Sequence, residues 1–196
     1  MYFQDISTDT KTRYRLNANE QGVFFLLNRS GQITFELAGS GATAHIFALY
    51  TGTGDSKQTL NLTQRHRAPD TLSSTLVKSA LAEQSTFRYD GAIIITKDAH
   101  RSDASQESRT LLLSPEARAY SRPALEILAH DVKCHHAATT APLGTEALFF
   151  AESRGLSKEA ARKLLVHGFF QEALERMEKL GIETDKLTEP LHVALG

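Results

Sequence analysis

Between about Tyr14 and Thr140 the chain is a succession of short runs rich in β-branched and aromatic residues. Gly22–Leu27, Gln32–Leu37, Thr43–Tyr50 and Gly91–Thr96 are the clearest. Several alternate apolar with polar positions, as in Gln58-Thr59-Leu60-Asn61-Leu62-Thr63, the period of a strand with one buried face. Turn residues punctuate them at Asn28-Arg29-Ser30-Gly31, Gly39-Ser40-Gly41, Gly52-Thr53-Gly54-Asp55 and Tyr89-Asp90-Gly91. No helical pattern between the runs is long enough to cross between strands of a doubly wound sheet. A sandwich and a β-solenoid both fit this spacing, and the pattern alone does not choose between them.

From Leu143 onward the period becomes helical. Glu146–Ser153 reads as a short helix stopped by Gly155, and Ser157 as the N-cap of a second helix with Glu159 in its first turn. Ala161, Leu164, Leu165, Phe169, Leu174, Met177 and Leu180 recur mostly at spacings of three and four, and Gly181 ends the run. The expected division is a β domain over 1–142, a helical subdomain over 143–181 and a loosely held tail over 182–196.

Composition narrows the class without naming a function. A chain of 196 residues, 41% apolar and 23% charged, suits one globular domain with a small appendage. A formal net charge of −1 gives no electrostatic reason to expect nucleic acid or an anionic membrane as partner. No apolar run approaches the length needed to span a bilayer, and Met1-Tyr2-Phe3-Gln4-Asp5 carries neither the basic nor the apolar part of an export signal. Cys134 is the single cysteine, so no internal disulfide can form, and the cytoplasm is the expected compartment.

Candidate chemistry concentrates near the end of the β region. In Asp131-Val132-Lys133-Cys134-His135-His136, a strand would place His130, Val132, Cys134 and His136 on one face and Asp131, Lys133 and His135 on the other. Thiolate and imidazole are ligands that iron and iron–sulfur species accept, and two residues of strand separate them by about 7 Å. Clusters take about four protein ligands and this chain has one sulfur. A stable cluster on a monomer is therefore not expected, whereas a site shared with another subunit is chemically consistent. A buried, inert Cys134 and a hydrogen-bonded structural histidine remain the bland alternatives.

Other features carry less. Gly52-Thr53-Gly54-Asp55-Ser56-Lys57 lacks the spacing of a phosphate loop and reads as a turn. Arg65-His66-Arg67, Arg118 and Arg122 read as solvated basic residues, and Asp90, Asp98, Asp103 and Glu107 form no carboxylate cluster in any strand register.

The stretch Asp131–Thr140, followed by Glu146-Ala147-Leu148-Phe149-Phe150-Ala151-Glu152-Ser153-Arg154-Gly155-Leu156, resembles the C-terminal signature of the SufB/SufD family, and SufD more than SufB. Ordered upstream matches include His66-Arg67-Ala68-Pro69, Ser74 with Lys78, Asp90-Gly91, Ala99-His100 and Pro123 with Leu125-Glu126-Ile127. Ala137 stands where the family has glycine and His135 where it has serine. Typical members are longer, with a helical N-terminal region and more β-helix turns, so the likeness is to the C-terminal half.

The resemblance implies a right-handed parallel β-helix with a small C-terminal helical subdomain. It also implies a non-enzymatic scaffold of iron–sulfur cluster assembly that pairs with SufB or with itself and receives the SufC ATPase on its C-terminal helices. His136, with Cys134, would then serve a transient cluster or iron site at a subunit interface. The helices could cap the open end of the coil, or dock a partner through Phe149, Phe150, Phe170 or Arg154, or do both. The rival readings are a metal-binding or hydrolytic enzyme using Cys134, His135 and His136, and a shortened SufD paralogue without assembly activity.

Overall fold

The computed structural model of the chain describes residues 1–187. Its strands are β1 (Tyr2–Asp5), β2 (Arg13–Leu16), β3 (Gln21–Leu27), β4 (Gly31–Leu37), β5 (Thr43–Gly52), β6 (Lys57–His66), β7 (Leu72–Leu81), β8 (Thr86–Ile95), β9 (Asp103–Leu112), β10 (Arg118–Ile127) and β11 (Lys133–Pro142). Two helices follow, α1 (Thr145–Ser153) and α2 (Lys158–Glu178). Every strand pairs in parallel with the next but one: the odd strands form one sheet in chain order, the even strands the other. That topology is a β-solenoid, not a sandwich.

Thr43, Leu72, Asp103 and Lys133 stand in one column, so each coil takes 29 to 31 residues (43 to 72, 72 to 103, 103 to 133). Stacking at so constant a register needs corners of constant shape. Asn19, Gly41, Asp70, Arg101 and Asp131, each just before an odd strand, all adopt positive φ. Their amides reach the next coil, Asn19 to Ser40, Gly41 to Pro69, Asp70 to His100 and Arg101 to Asp131. Asn and Asp tolerate this left-handed conformation better than most residues.

The interior changes character along the axis. In the first coils it is apolar and aromatic: Tyr14, Phe24 and Phe35 pack with centroids 4.8–5.5 Å apart, and Tyr50 stacks on Phe87 at 4.3 Å. From β6 onward the inward positions include Gln64, His66, Ser73, Thr75, Ser79, Gln106, Ser108 and Thr110, all buried. His66 is thus not solvated as its basic neighbours suggest. Its Nδ1 meets Thr71 Oγ1 and its Nε2 meets Ser73 Oγ, each at 2.7 Å. Gly91 faces the same region. A Cβ there would lie 2.5 Å from Gln106 Oε1 and 2.6 Å from the Tyr89 hydroxyl, so only glycine leaves both in place.

The helices do not close the coil. Val23, Phe25, Phe47, Leu49, Leu76 and Ala80 make the outer face of the odd sheet apolar, and α2 lays Val166, Phe170, Ala173, Leu174 and Met177 against it. That flank offers α2 a continuous apolar seat, and the helix lies along it instead of across the open end. Phe170 is accordingly core, not an exposed docking residue, and Leu164 points to solvent. Ile182 and Leu187 join the same cluster, so the tail is anchored at least that far; residues 188–196 lie outside the described residues. Ser157 caps α2 by accepting from the Ala160 amide at 3.2 Å, and Gly155 (φ 93°) and Gly181 (φ 81°) follow the two helices as expected.

An ionic clasp reinforces the docking. Lys78, 1% exposed, reaches Glu172 at 2.6 Å, donates to the Phe169 carbonyl and sits 4.5 Å from the Phe169 ring centroid. Arg109 and Arg176 also reach Glu172, at 2.8 and 2.6 Å, and Arg176 bridges to Glu107 at 2.9 Å. Burial lowers the Lys78 ammonium from its ordinary value despite Glu172. Burial would raise Glu172, but Lys78, Arg109 and Arg176 outweigh it and hold the carboxyl below its usual range.

Two outcomes follow from this packing. Lys78→Ala removes a buried cation but leaves Glu172 two arginines, so it should cost about 2 kcal/mol, below the range for a fully abandoned buried charge. Hydrogen exchange should then speed up in α2 while β5 and β7 stay protected. The second concerns acid. Burial pushes His66 down to about 4, so folding favours its neutral form. This contribution is complete above the unfolded value near 6.5 and is lost as pH falls from there to about 4, amounting to roughly 3 kcal/mol. His66→Gln should flatten the fall in unfolding free energy over that window relative to wild type, and an unchanged slope would show that His66 is not its source.

Candidate functional site

The last coil is built from β10 and β11, each the terminal strand of its sheet. Their inward positions have no further coil above them among the described residues. Leu125 and Ile127 are therefore 41% and 39% exposed although they stand directly over buried Ile93 and Ile95. The outward backbone edges of β10 and β11 are likewise unpaired within the described chain, leaving two adjacent strands able to accept a partner strand.

Cys134 and His136 both lie on the inward side of β11, over Ala104 and Gln106 of β9. Cys134 is half-buried and packs against the cluster of Ile93, Ile95, Ala99, Ala104 and Ala129. Burial, with a smaller contribution from the Asp103 carboxylate, raises its thiol above the ordinary value. At neutral pH the sulfur is a thiol, and a metal would have to displace its proton. His136 is exposed at the mouth of the coil and is the more accessible donor of the two.

The neighbouring histidines separate as the alternation requires. His135 faces outward above Ser105 and lines a cavity of about 340 Å³ with His45, Ser74 and Arg176 on the flank of the odd sheet. His130 belongs to the corner before β11, its carbonyl 3.2 Å from His100 Nδ1. Among the described residues no three His, Cys, Asp or Glu side chains gather to hold a metal. The expected turn at Thr53–Ser56 simply joins β5 to β6.

A second surface lies beside the open end. Phe149 and Phe150 of α1 are 72% and 60% exposed, with Leu156 and Leu164 nearby in sequence also exposed and the Arg154 guanidinium 5.0 Å from the Phe150 centroid. Between the helices and the ends of β9 and β11 runs a groove of about 500 Å³ with Leu112, Pro142, Leu143 and Leu148 in its walls and Arg118, Lys158 and Arg162 around it. Sequence reasoning missed the ionic clasp and the buried polar chain below His136. Neither leaves a periodic signal, because Lys78 and Gln106 are polar residues at positions that pattern assigns to solvent.

The described chain is thus a β-solenoid with a flank-docked helix pair and a last coil that carries a thiol and an imidazole at its mouth. Residues 25–169 match the family model of the SUF system FeS cluster assembly, SufBD core domain, and the chain belongs to the SufBD family. It is similar to the iron-sulfur cluster assembly protein SufD of Escherichia coli, 29% identical over 59% of this chain and 27% of SufD. A SufBD family iron-sulfur cluster assembly protein of Mycobacterium leprae is 34% identical over 71% of this chain and 38% of its own length. The chloroplastic protein ABCI7 of Arabidopsis thaliana is 38% identical over 45% of this chain and 18% of its own. The chain thus spans well under half the length of these relatives. No helix among the described residues is long and apolar enough to cross a membrane.

The state of Cys134 can be checked directly. Alkylation by iodoacetamide at pH 7.5 should be several-fold slower than for free cysteine, and should accelerate as pH rises past 9, the ordinary thiol value from which the residue is raised. A rate equal to free cysteine would show the thiol to be unshifted.

Proposed function

We propose that this chain is a SufD-like scaffold of the SUF iron–sulfur cluster assembly machinery. It pairs with a SufB-like subunit, or with a second copy of itself, through the open coil. A SufC-like ABC ATPase docks on the exposed apolar surface of α1 and the start of α2, and supplies any ATP hydrolysis. His136, assisted by Cys134, offers a transient ligand to iron or a nascent cluster held between the subunits. In this reading iron and sulfur are cargo and no covalent catalysis belongs to this chain.

The observation that carries the reading is the juxtaposition at the last coil. Unpaired strand edges, exposed Leu125 and Ile127 and the two candidate ligands occupy one surface. Burial of that surface by a partner would cover apolar area, satisfy the strand edges and bring further ligands to a site that one sulfur cannot complete. Phe149 and Phe150 lie on a different element, leaving a separate apolar surface for a second partner.

The test is His136→Ala in a reconstituted assembly reaction with SufB-like and SufC-like partners. Cluster yield should fall at least about tenfold, the lower range for losing a metal-site residue, with the melting temperature unchanged because the side chain is exposed. Full yield from the variant would remove His136 from the function.

A further inference from the structure

The groove beside the helices arises where the regular succession of corners stops. Between β9 and β10 the chain turns through residues 113–117, and this corner rests on the one below it. The Leu113 amide donates to the Leu81 carbonyl at 2.7 Å, the Ser114 hydroxyl to the Glu83 carbonyl at 2.9 Å and the Arg118 amide to the Ser85 carbonyl at 3.0 Å. After β11 the chain makes no such corner. It passes through Leu143, whose amide donates to the Leu112 carbonyl at 2.9 Å, into α1 and α2. The upper side of the 113–117 corner therefore faces the helices across about 500 Å³, a volume typical of small-molecule sites.

The walls of this groove are divided in chemistry. Leu112, Pro142, Leu143 and Leu148 make them aliphatic, and among the described residues no aromatic ring and no carboxylate lines it. Arg118, Lys158 and Arg162 bring three positive charges, and among the described residues none of the three forms an ion pair. Backbone carbonyls of the corner fix both guanidiniums. Arg162 Nη2 donates to Leu113 at 2.5 Å, and Arg118 Nη1 donates to Pro115 and Ala117 at 2.6 and 3.0 Å. Those carbonyls belong to lining residues, so the heads lie at the wall, and each keeps further N–H donors.

Three like charges beside aliphatic walls repel one another, and an anion relieves that repulsion. A neutral apolar ligand would cover the walls and leave the charges unbalanced, whereas a hydrophilic anion would do the reverse. We propose that the groove binds a small amphipathic anion, its aliphatic chain against Leu112, Leu143 and Leu148 and its oxyanion head on Arg118, Lys158 and Arg162. A planar carboxylate or a phosphate matches the guanidinium fork. Phe149 and Phe150 do not line the groove, so the site is distinct from the docking surface described above and does not rest on the scaffold function.

The test is a methyl-resolved NMR titration of the leucine-labelled full chain with decanoate and with decyl phosphate, each below its micellar concentration, and with decanol as the uncharged counterpart. At least one anion should move the methyls of Leu112, Leu143 and Leu148 saturably, leaving those of exposed Leu156 and Leu164 in place. It should bind at least about tenfold more tightly than decanol. Lys158→Gln and Arg118→Gln, both at exposed positions, should each weaken it several-fold and Arg162→Gln about tenfold, while Arg13→Gln in β2, at the far end of the solenoid, should change nothing. Arg162 also holds the Leu113 carbonyl, so if its variant fails to fold the two exposed ones decide. No saturable shift with either anion, equal binding of decanol, shifts centred on Leu156 and Leu164, or unchanged affinity in the folded variants overturns the proposal.

Discussion

The structure depends on parallel stacking in constant register, in which each coil is the seat of the next. Inward side chains of one coil are covered only by those of the following one, and the strand hydrogen bonds run in the same direction. The repeat therefore cannot satisfy its own last member. At β10 and β11 the columns that bury Ile93, Ile95 and Gln106 below continue to Leu125, Ile127 and His136, which nothing in the described chain covers. The two candidate ligands, Cys134 and His136, stand on this last described coil.

How much of this was legible in the sequence follows from the interior. In β3, β4 and β5 the inward positions Phe24, Leu26, Ile33, Phe35, Ile46 and Ala48 are apolar and buried, and runs of apolar residues mark the strands plainly. In β7 and β9 the interior holds Ser73, Thr75, Ser79, Gln106, Ser108 and Thr110, so the two faces do not differ in polarity and periodicity fades. The choice of solenoid over sandwich came from the resemblance carried by Asp131–Gly155, not from pattern. The same polar interior explains the misreading of His66, whose arginine neighbours suggest solvent while its own position faces inward.

The helices illustrate a different limit. Their caps and stops at Gly155, Ser157 and Gly181 were readable because each is a local backbone requirement. Where α2 would lie was not, because its seat is made by outward residues of distant strands that look like ordinary exposed apolar positions. Cys134 and His136 were correctly placed on one face by alternation alone. Alternation could not tell that the face was at the mouth of the coil, which makes one side chain half-buried and the other open.

The central claim is that the open coil is a subunit interface presenting His136. Hydrogen exchange of the backbone amides of β10 and β11, measured for the chain alone and with a SufB-like subunit, tests it most directly. The account predicts rapid exchange on the free edges and strong protection there in the complex, with β1 and β2 unchanged. Protection that appears elsewhere while β10 and β11 continue to exchange as in the free chain would contradict it.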